Sequence, residues 1–157
     1  MCKKSATKDN NTATCTTCSS TPLTHTADSS DTYYYLPTAF TPNGDGINDV
    51  FSLFFHGLDT ANSTITIWNL SGTKVFAGKI TQRWEGTDLA GGKCGAGEYP
   101  VYLDLKTSAG ITVTTCACVN ILAYSGSCIK TNGITYYFPD QLDTAGFVFT
   151  TNDVLCP

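Results

Sequence analysis

Between residues 33 and 122 apolar side chains recur at every second position in short runs, and Gly, Asn, Ser or Pro punctuates each run. In the stretch Thr-Ile-Thr-Ile-Trp at 64–68, Ile65 and Ile67 fall on one face and Thr64, Thr66 and Trp68 on the other, which is the period of an extended strand. No segment of useful length carries a 3.6-residue apolar period. The spacing therefore predicts an all-β chain of short strands folded as a Greek-key β-sandwich.

The strands are expected at 33–36, 50–55 and 63–68. A turn at 69–72 returns the chain through 74–77 as a hairpin, and a second hairpin runs from 99–105 through a turn at 108–110 into 111–122. The Gly-rich run 91–97 has no helical pattern after it to present an N-terminus to a phosphate, so it reads as a surface loop. Three regions follow: a polar tether at 1–31, the sandwich at 32–122 and a C-terminal β extension at 123–157. The extension carries Tyr136, Tyr137, Phe138, Phe147, Val148 and Phe149, too much apolar surface to stay solvated. It is expected to pack on the edge of its own domain or on the next molecule.

Charged residues make up only 14% of the chain, the net charge is -4, and no Lys/Arg cluster follows Lys3-Lys4, which excludes a nucleic-acid partner. Eight cysteines in 157 residues, none spaced with histidine as in a metal site, point to an oxidising compartment and a disulfide framework. The disulfide candidates are Cys15, Cys18, Cys94, Cys116, Cys118, Cys128 and Cys156, with Cys94, Cys116, Cys118 and Cys128 expected to be oxidised. Eight cysteines allow 105 pairings, and four thiolates from Cys15, Cys18, Cys116 and Cys118 are the competing zinc reading. No apolar run reaches membrane-spanning length and no leader is evident. Cys2, followed by two lysines and a polar stretch, resembles the acylated end of a bacterial lipoprotein; its alternative role is one more disulfide partner.

Catalysis finds little purchase. Only His25 and His56 could serve as a base, neither within a nucleophile motif, and no two carboxylates stand out as an acid and its partner. The chain is expected not to be an enzyme. The loop 41–49 is the one candidate site. Thr41, Asn43 and Asp45 place side-chain oxygens at alternate positions, Gly46 supplies a tight bend, Ile47 offers a backbone carbonyl and Asp49 closes the set. These five residues could hold calcium, or the same Asn and Asp side chains could fasten their own backbone.

Four motifs in order, Pro-Thr-Ala-Phe-Thr-Pro-Asn-Gly-Asp-Gly-Ile-Asn-Asp-Val-Phe at 37–51, Ile-Thr-Ile-Trp-Asn at 65–69 with Val75-Phe76, Trp-Glu-Gly-Thr at 84–87 and Gly-Glu-Tyr-Pro-Val-Tyr at 97–102, resemble the gliding-motility-associated C-terminal domain of Bacteroidota. The resemblance implies an immunoglobulin-like sandwich that directs exported proteins through the type IX secretion system and leaves them on the cell surface or released. It also gives a setting for the triplets Asp59-Thr60-Ala61 and Asp143-Thr144-Ala145, which look like the O-glycosylation sequence of that phylum, at Thr60 and Thr144. The cysteine content and the residues beyond 122 depart from the family pattern.

The leading expectation is a non-catalytic structural protein of the cell surface, a subunit of a filament or other surface assembly. Its partners would be copies of itself or other surface proteins, with the membrane touched only through a lipid at Cys2. The alternatives are a calcium-dependent module that binds glycans or mediates adhesion, and a type IX sorting domain.

Overall fold

The computed structural model describes residues 15, 25–26, 32–44, 48–122, 141–142 and 148–149, with backbone alone at 25–26, 141–142 and 148–149. Its strands are β1 (His25–Thr26), β2 (Tyr33–Tyr35), β3 (Ala39–Phe40), β4 (Phe54–His56), β5 (Thr64–Trp68), β6 (Lys74–Lys79), β7 (Gly97–Lys106), β8 (Thr112–Ile121), β9 (Gln141–Leu142) and β10 (Val148–Phe149). No helix occurs among the described residues. The fold is all-β.

Five strands form the larger sheet in the order β3-β8-β7-β5-β6, and β1-β2-β4 form a three-stranded sheet. Thr, Ile and Val dominate β5 and β8, and Tyr, Val and Leu recur in β7, where branched and aromatic side chains pack well on a pleated surface. The long β7–β8 hairpin pairs residue for residue from Gly97 with Ile121 to Lys106 with Thr112. The expected hairpin at 63–77 is β5–β6, and its second strand runs on to Lys79.

Alternate residues of the larger sheet, Ile65 and Ile67, Tyr99, Val101, Leu103 and Leu105, and Ala117, Val119 and Ile121, turn to one side. There they meet Tyr34 from the smaller sheet and Leu36 and Leu53, which flank its strands β2 and β4, in a single core. Burial of this set is the principal force holding the two layers together, about 1.5–3 kcal/mol for each large side chain.

The stretch 50–55 is not one strand. Phe51 pairs with Trp84 as an isolated bridge, and only Phe54–His56 pairs with β2. Between the two pairings Ser52 and Leu53 belong to no strand, and Leu53 turns into the core. The short β3 lies parallel to the end of β8, with Ala39 opposite Asn120 and Phe40 opposite Ile121. Of the region read as a tether, His25–Thr26 pairs with β2 and Cys15 is bonded to Cys116.

Candidate functional site

The loop from 41 to 49 leaves β3 at the end of the sheet where β8 finishes and β7 begins. Its base is closed by the Thr41 N–H, which donates to the Asn48 carbonyl at 2.9 Å. A second bond, from the Asn43 N–H to the Thr41 carbonyl at 2.7 Å, makes a tight three-residue turn around Pro42. Gly44 and Asn48 both sit at positive φ, 84° and 50°, a region open to Gly and tolerated by Asn. The Asp49 carboxylate accepts the Gly44 N–H at 2.6 Å. This charge-assisted bond is the loop's own fastening, since the oxygen that holds the backbone is one that a cation would otherwise take.

Asp45 and Ile47, two of the five proposed calcium ligands, lie outside the described residues. Among the described residues no cluster of three His, Cys, Asp or Glu side chains is placed to hold a metal ion. Thr41 is wholly buried.

Beneath the loop the first, third and fourth sequence motifs converge. Phe40 lies 5.3 Å from Trp84 between ring centroids, Phe51 meets Trp84 at 6.4 Å edge-on, and Trp84 meets Tyr99 at 5.2 Å. Aromatic groups at such distances and tilts attract beyond their burial alone. The two polar ends find partners: the Trp84 indole N–H donates to the Thr87 carbonyl at 2.7 Å and the Tyr99 hydroxyl to the Gly95 carbonyl at 2.6 Å. Gly86, at φ 72°, lets Pro42, Ile121 and Phe40 close in, since a Cβ there would stand 3.0, 3.3 and 3.4 Å from their atoms.

The same end presents two hairpin tips. One is the turn after β5, capped by the Asn69 carboxamide oxygen, which accepts the N–H groups of Ser71 and Thr73 at 3.0 and 2.9 Å. The other is the turn 88–92, capped by the Asp88 carboxylate, which accepts the N–H groups of Ala90 and Gly92 at 2.9 and 2.8 Å. Their apolar residues point outward: Leu70 is 72% exposed and Leu89 is 66% exposed.

At the opposite end Asp59 organises the turn that bears Thr60. Its carboxylate accepts the N–H groups of Ala61 and Asn62 at 3.0 and 3.2 Å and the Asn62 side-chain amide at 2.7 Å. The Asn62 amide is the main influence that holds this carboxyl below the usual carboxylate range; desolvation opposes it, and the backbone donors of Asn62 and Ala61 and nearby Lys106 add to the lowering. Thr60 is exposed at the tip. Thr144 lies outside the described residues. His56 is exposed and stacks on Tyr33 at 5.5 Å, a surface contact with no nucleophile in it.

The cysteines divide. Cys15 and Cys116 form a disulfide with Cα atoms 5.5 Å apart. Cys118 is also disulfide-bonded. Cys94 departs from the expectation that it is oxidised: it remains a thiol. Its side chain packs against the inner core, whereas Cys116 and Cys118 occupy the outer face of β8, so the fold separates them. Cys2, Cys18, Cys128 and Cys156 lie outside the described residues.

The aromatic cluster beneath the loop was not recognised in the sequence as a single site. The signal available was that Phe40, Phe51, Trp84 and Tyr99 each sit within a motif of the resemblance. Comparison with known families agrees with this convergence: the model of the CHU_C type IX secretion signal domain matches residues 34–116. No curated protein and no solved structure gives a significant match.

Proposed function

The chain belongs to the type IX secretion signal domain family, and from that premise we propose that the sandwich is the sorting module of an exported protein, read by the secretion machinery as a folded body. The observation that carries this reading is the coincidence of the family match, 34–116, with the unit built around one core. Membership makes the protein a secreted one, bound for the cell surface or the extracellular space. It favours the sorting alternative over a structural or filament subunit, whose proposed polymerising element, 123–157, falls almost wholly outside the described residues.

In this reading the two layers form an immunoglobulin-like Greek-key sandwich. The 41–49 loop is a clasp that fixes the end of the sandwich rather than a ligand site, because its Asp49 carboxylate is turned onto the loop's own backbone at Gly44. The face offered to the machinery is the end bearing Leu70 and Leu89. Small aliphatic tips on rigid, side-chain-capped turns lose little entropy on contact. Thr60, exposed on its Asp59-capped turn at the far end, is the position open to a glycan without disturbing that face.

The test is a reporter fused ahead of the full chain and expressed in a bacterium with a type IX system and in a strain lacking it. Export only in the first strain is expected, with loss of export for Leu70→Asp/Leu89→Asp at unchanged melting temperature. A reporter held back even with the wild-type chain overturns the sorting reading. Export of the double variant overturns only the assignment of the face.

A further inference from the structure

Asn43-Gly44 is one of two Asn-Gly steps in the chain, the other being Asn132-Gly133. Such a step is the most fragile in a polypeptide, because the glycine amide nitrogen can reach the asparagine Cγ with no side chain of its own in the way. The turn here requires the glycine: Gly44 stands at φ 84°, where an L side chain is strained. It is exposed, and a Cβ built on it would meet nothing within 4 Å, so water has access to the step. Asn43 beside it is half-buried.

The loop sets a carboxylate on the very atom that would attack. The Gly44 N–H donates to Asp49 Oδ1 at 2.6 Å. This is a short bond to a charged acceptor. The nitrogen becomes nucleophilic only after losing that hydrogen. The amidate left behind would stand within hydrogen-bonding distance of a second negative charge, and like charges so close disfavour the ionised form. The carboxylate therefore keeps the nitrogen protonated and inert.

We propose that Asn43-Gly44 is a self-modification site and that the Asp49 carboxylate is its guard, holding the step unreacted while the loop is closed. Where the guard is absent, base in the solvent takes the Gly44 amide proton, the nitrogen forms a bond to Asn43 Cγ, and the Cγ–Nδ2 bond breaks. The departing nitrogen takes up a proton and leaves as ammonia, and a succinimide ring remains. A water molecule then adds to one of the two ring carbonyls and opens the ring. Addition at Cγ gives aspartate at position 43. Addition at the main-chain carbonyl gives isoaspartate, with the chain running through the former side chain. The net change is amide plus water to carboxylate plus ammonium, with no electrons exchanged. Either product adds a negative charge to the loop that Asp49 fastens, and isoaspartate also adds a methylene to the backbone inside the ring closed by the Thr41–Asn48 bond. An unfolded chain has no guard, so the modification records time spent unfolded.

The experiment incubates the full-length wild type, Asp49→Asn and Asp49→Ala in warm, mildly alkaline buffer, with a synthetic peptide of residues 37–51 as the unguarded reference. Conversion at position 43 is read by mass spectrometry of digested samples and isoaspartate by enzymatic methylation. Asn132 in the same digests controls for the conditions, and circular dichroism reports the fold. The expected result is a wild type that reacts severalfold more slowly at position 43 than the peptide, and an Asp49→Ala variant that reacts severalfold faster than the wild type with its fold intact and no change at Asn132. Asp49→Asn, which keeps the shape and loses the charge, is expected to fall between them. Equal rates at position 43 in the wild type and both variants overturn the guard. Slower reaction in the variants overturns it in the opposite sense, since Asp49 is then the base that takes the proton. A matching rise at Asn132 overturns it as well, because the change is then not confined to the loop. A peptide no faster than the folded wild type overturns the site itself. If Asp49→Ala fails to fold, Asp49→Asn and the comparison of wild type with peptide decide the outcome.

Discussion

Phe51 and Trp84 exchange both backbone hydrogen bonds, at 2.8 and 2.9 Å, and set their rings at 90° to each other. A single antiparallel pair of this kind joins two segments that share no longer ladder. It therefore fixes where the end of the clasp loop meets the start of the Trp-Glu-Gly-Thr motif. Trp84→Ala removes the ring that touches Phe40, Phe51 and Tyr99, and is expected to destabilise the domain by about 3–5 kcal/mol. The denaturant midpoint checks this, and a shift equivalent to less than ~1 kcal/mol would mean that the cluster is not what supports the loop.

The two glycines of the same end separate backbone strain from packing. Gly72 and Gly86 have φ of 79° and 72°, but a Cβ at Gly72 meets nothing within 4 Å, whereas one at Gly86 meets Pro42, Ile121 and Phe40. Gly72→Ala is expected to lose about 1–2 kcal/mol from the left-handed conformation alone. Gly86→Ala should lose that and a further 1–3 kcal/mol or so from overpacking. Equal losses in thermal melts of the two variants would contradict the close packing at Gly86.

Removing the Asp49 carboxylate tests the clasp. Asp49→Ala takes the acceptor from the exposed Gly44 N–H, an expected loss of about 0.5–1.5 kcal/mol. The loss should be the same with and without added calcium, as read by melting temperature. A calcium-dependent loss would return the loop to the cation-binding reading.

Two groups give the stability opposite responses to pH. Burial pushes the Tyr34 hydroxyl above its usual range, while a hydrogen bond with Thr115 pulls it back in part. The fold accommodates the neutral phenol, so its contribution is whole below the ordinary tyrosine value of about 10 and is lost as pH rises through the higher folded value. Asp59 is lowered, so its contribution is present above the ordinary carboxylate value of about 4 and is lost as pH falls through the folded value. Melting temperatures across both ranges should fall less steeply on the alkaline side in Tyr34→Phe and less steeply on the acid side in Asp59→Asn. Parallel curves for wild type and variant would remove the assigned cause.

The period-two pattern made β5–β6 and β7–β8 legible because hairpins are local: the turn residues and the alternating faces are adjacent in the chain. What pairs across long separations left no such mark. The parallel contact of Phe40 with Ile121, the bridge between Phe51 and Trp84 and the choice of Cys116 for Cys15 all depend on tertiary placement. Trp68 shows the same limit from another side. Alternation put it correctly with Thr64 and Thr66 on the outer face, but alternation cannot say that this face is covered. The candidate site was legible as a loop of Asn, Asp and Gly. Its direction was not, since the same Asp49 carboxylate could face a cation or the Gly44 N–H until the backbone was known.

The bond between Cys15 and Cys116 spans a sequence separation of 101. If a load pulls on the chain ahead of Cys15 and is resisted beyond Cys116, tension crosses from one sulfur to the other and passes by every strand from β1 to β7. Those strands carry none of it. Stretching the oxidised protein by its ends should release none of the roughly 35 nm of chain stored between the two cysteines, and reduction should make all of it available. The sandwich is thus mechanically in parallel with a covalent shunt, and an exported body tugged from one side stays folded for as long as one sulfur–sulfur bond survives.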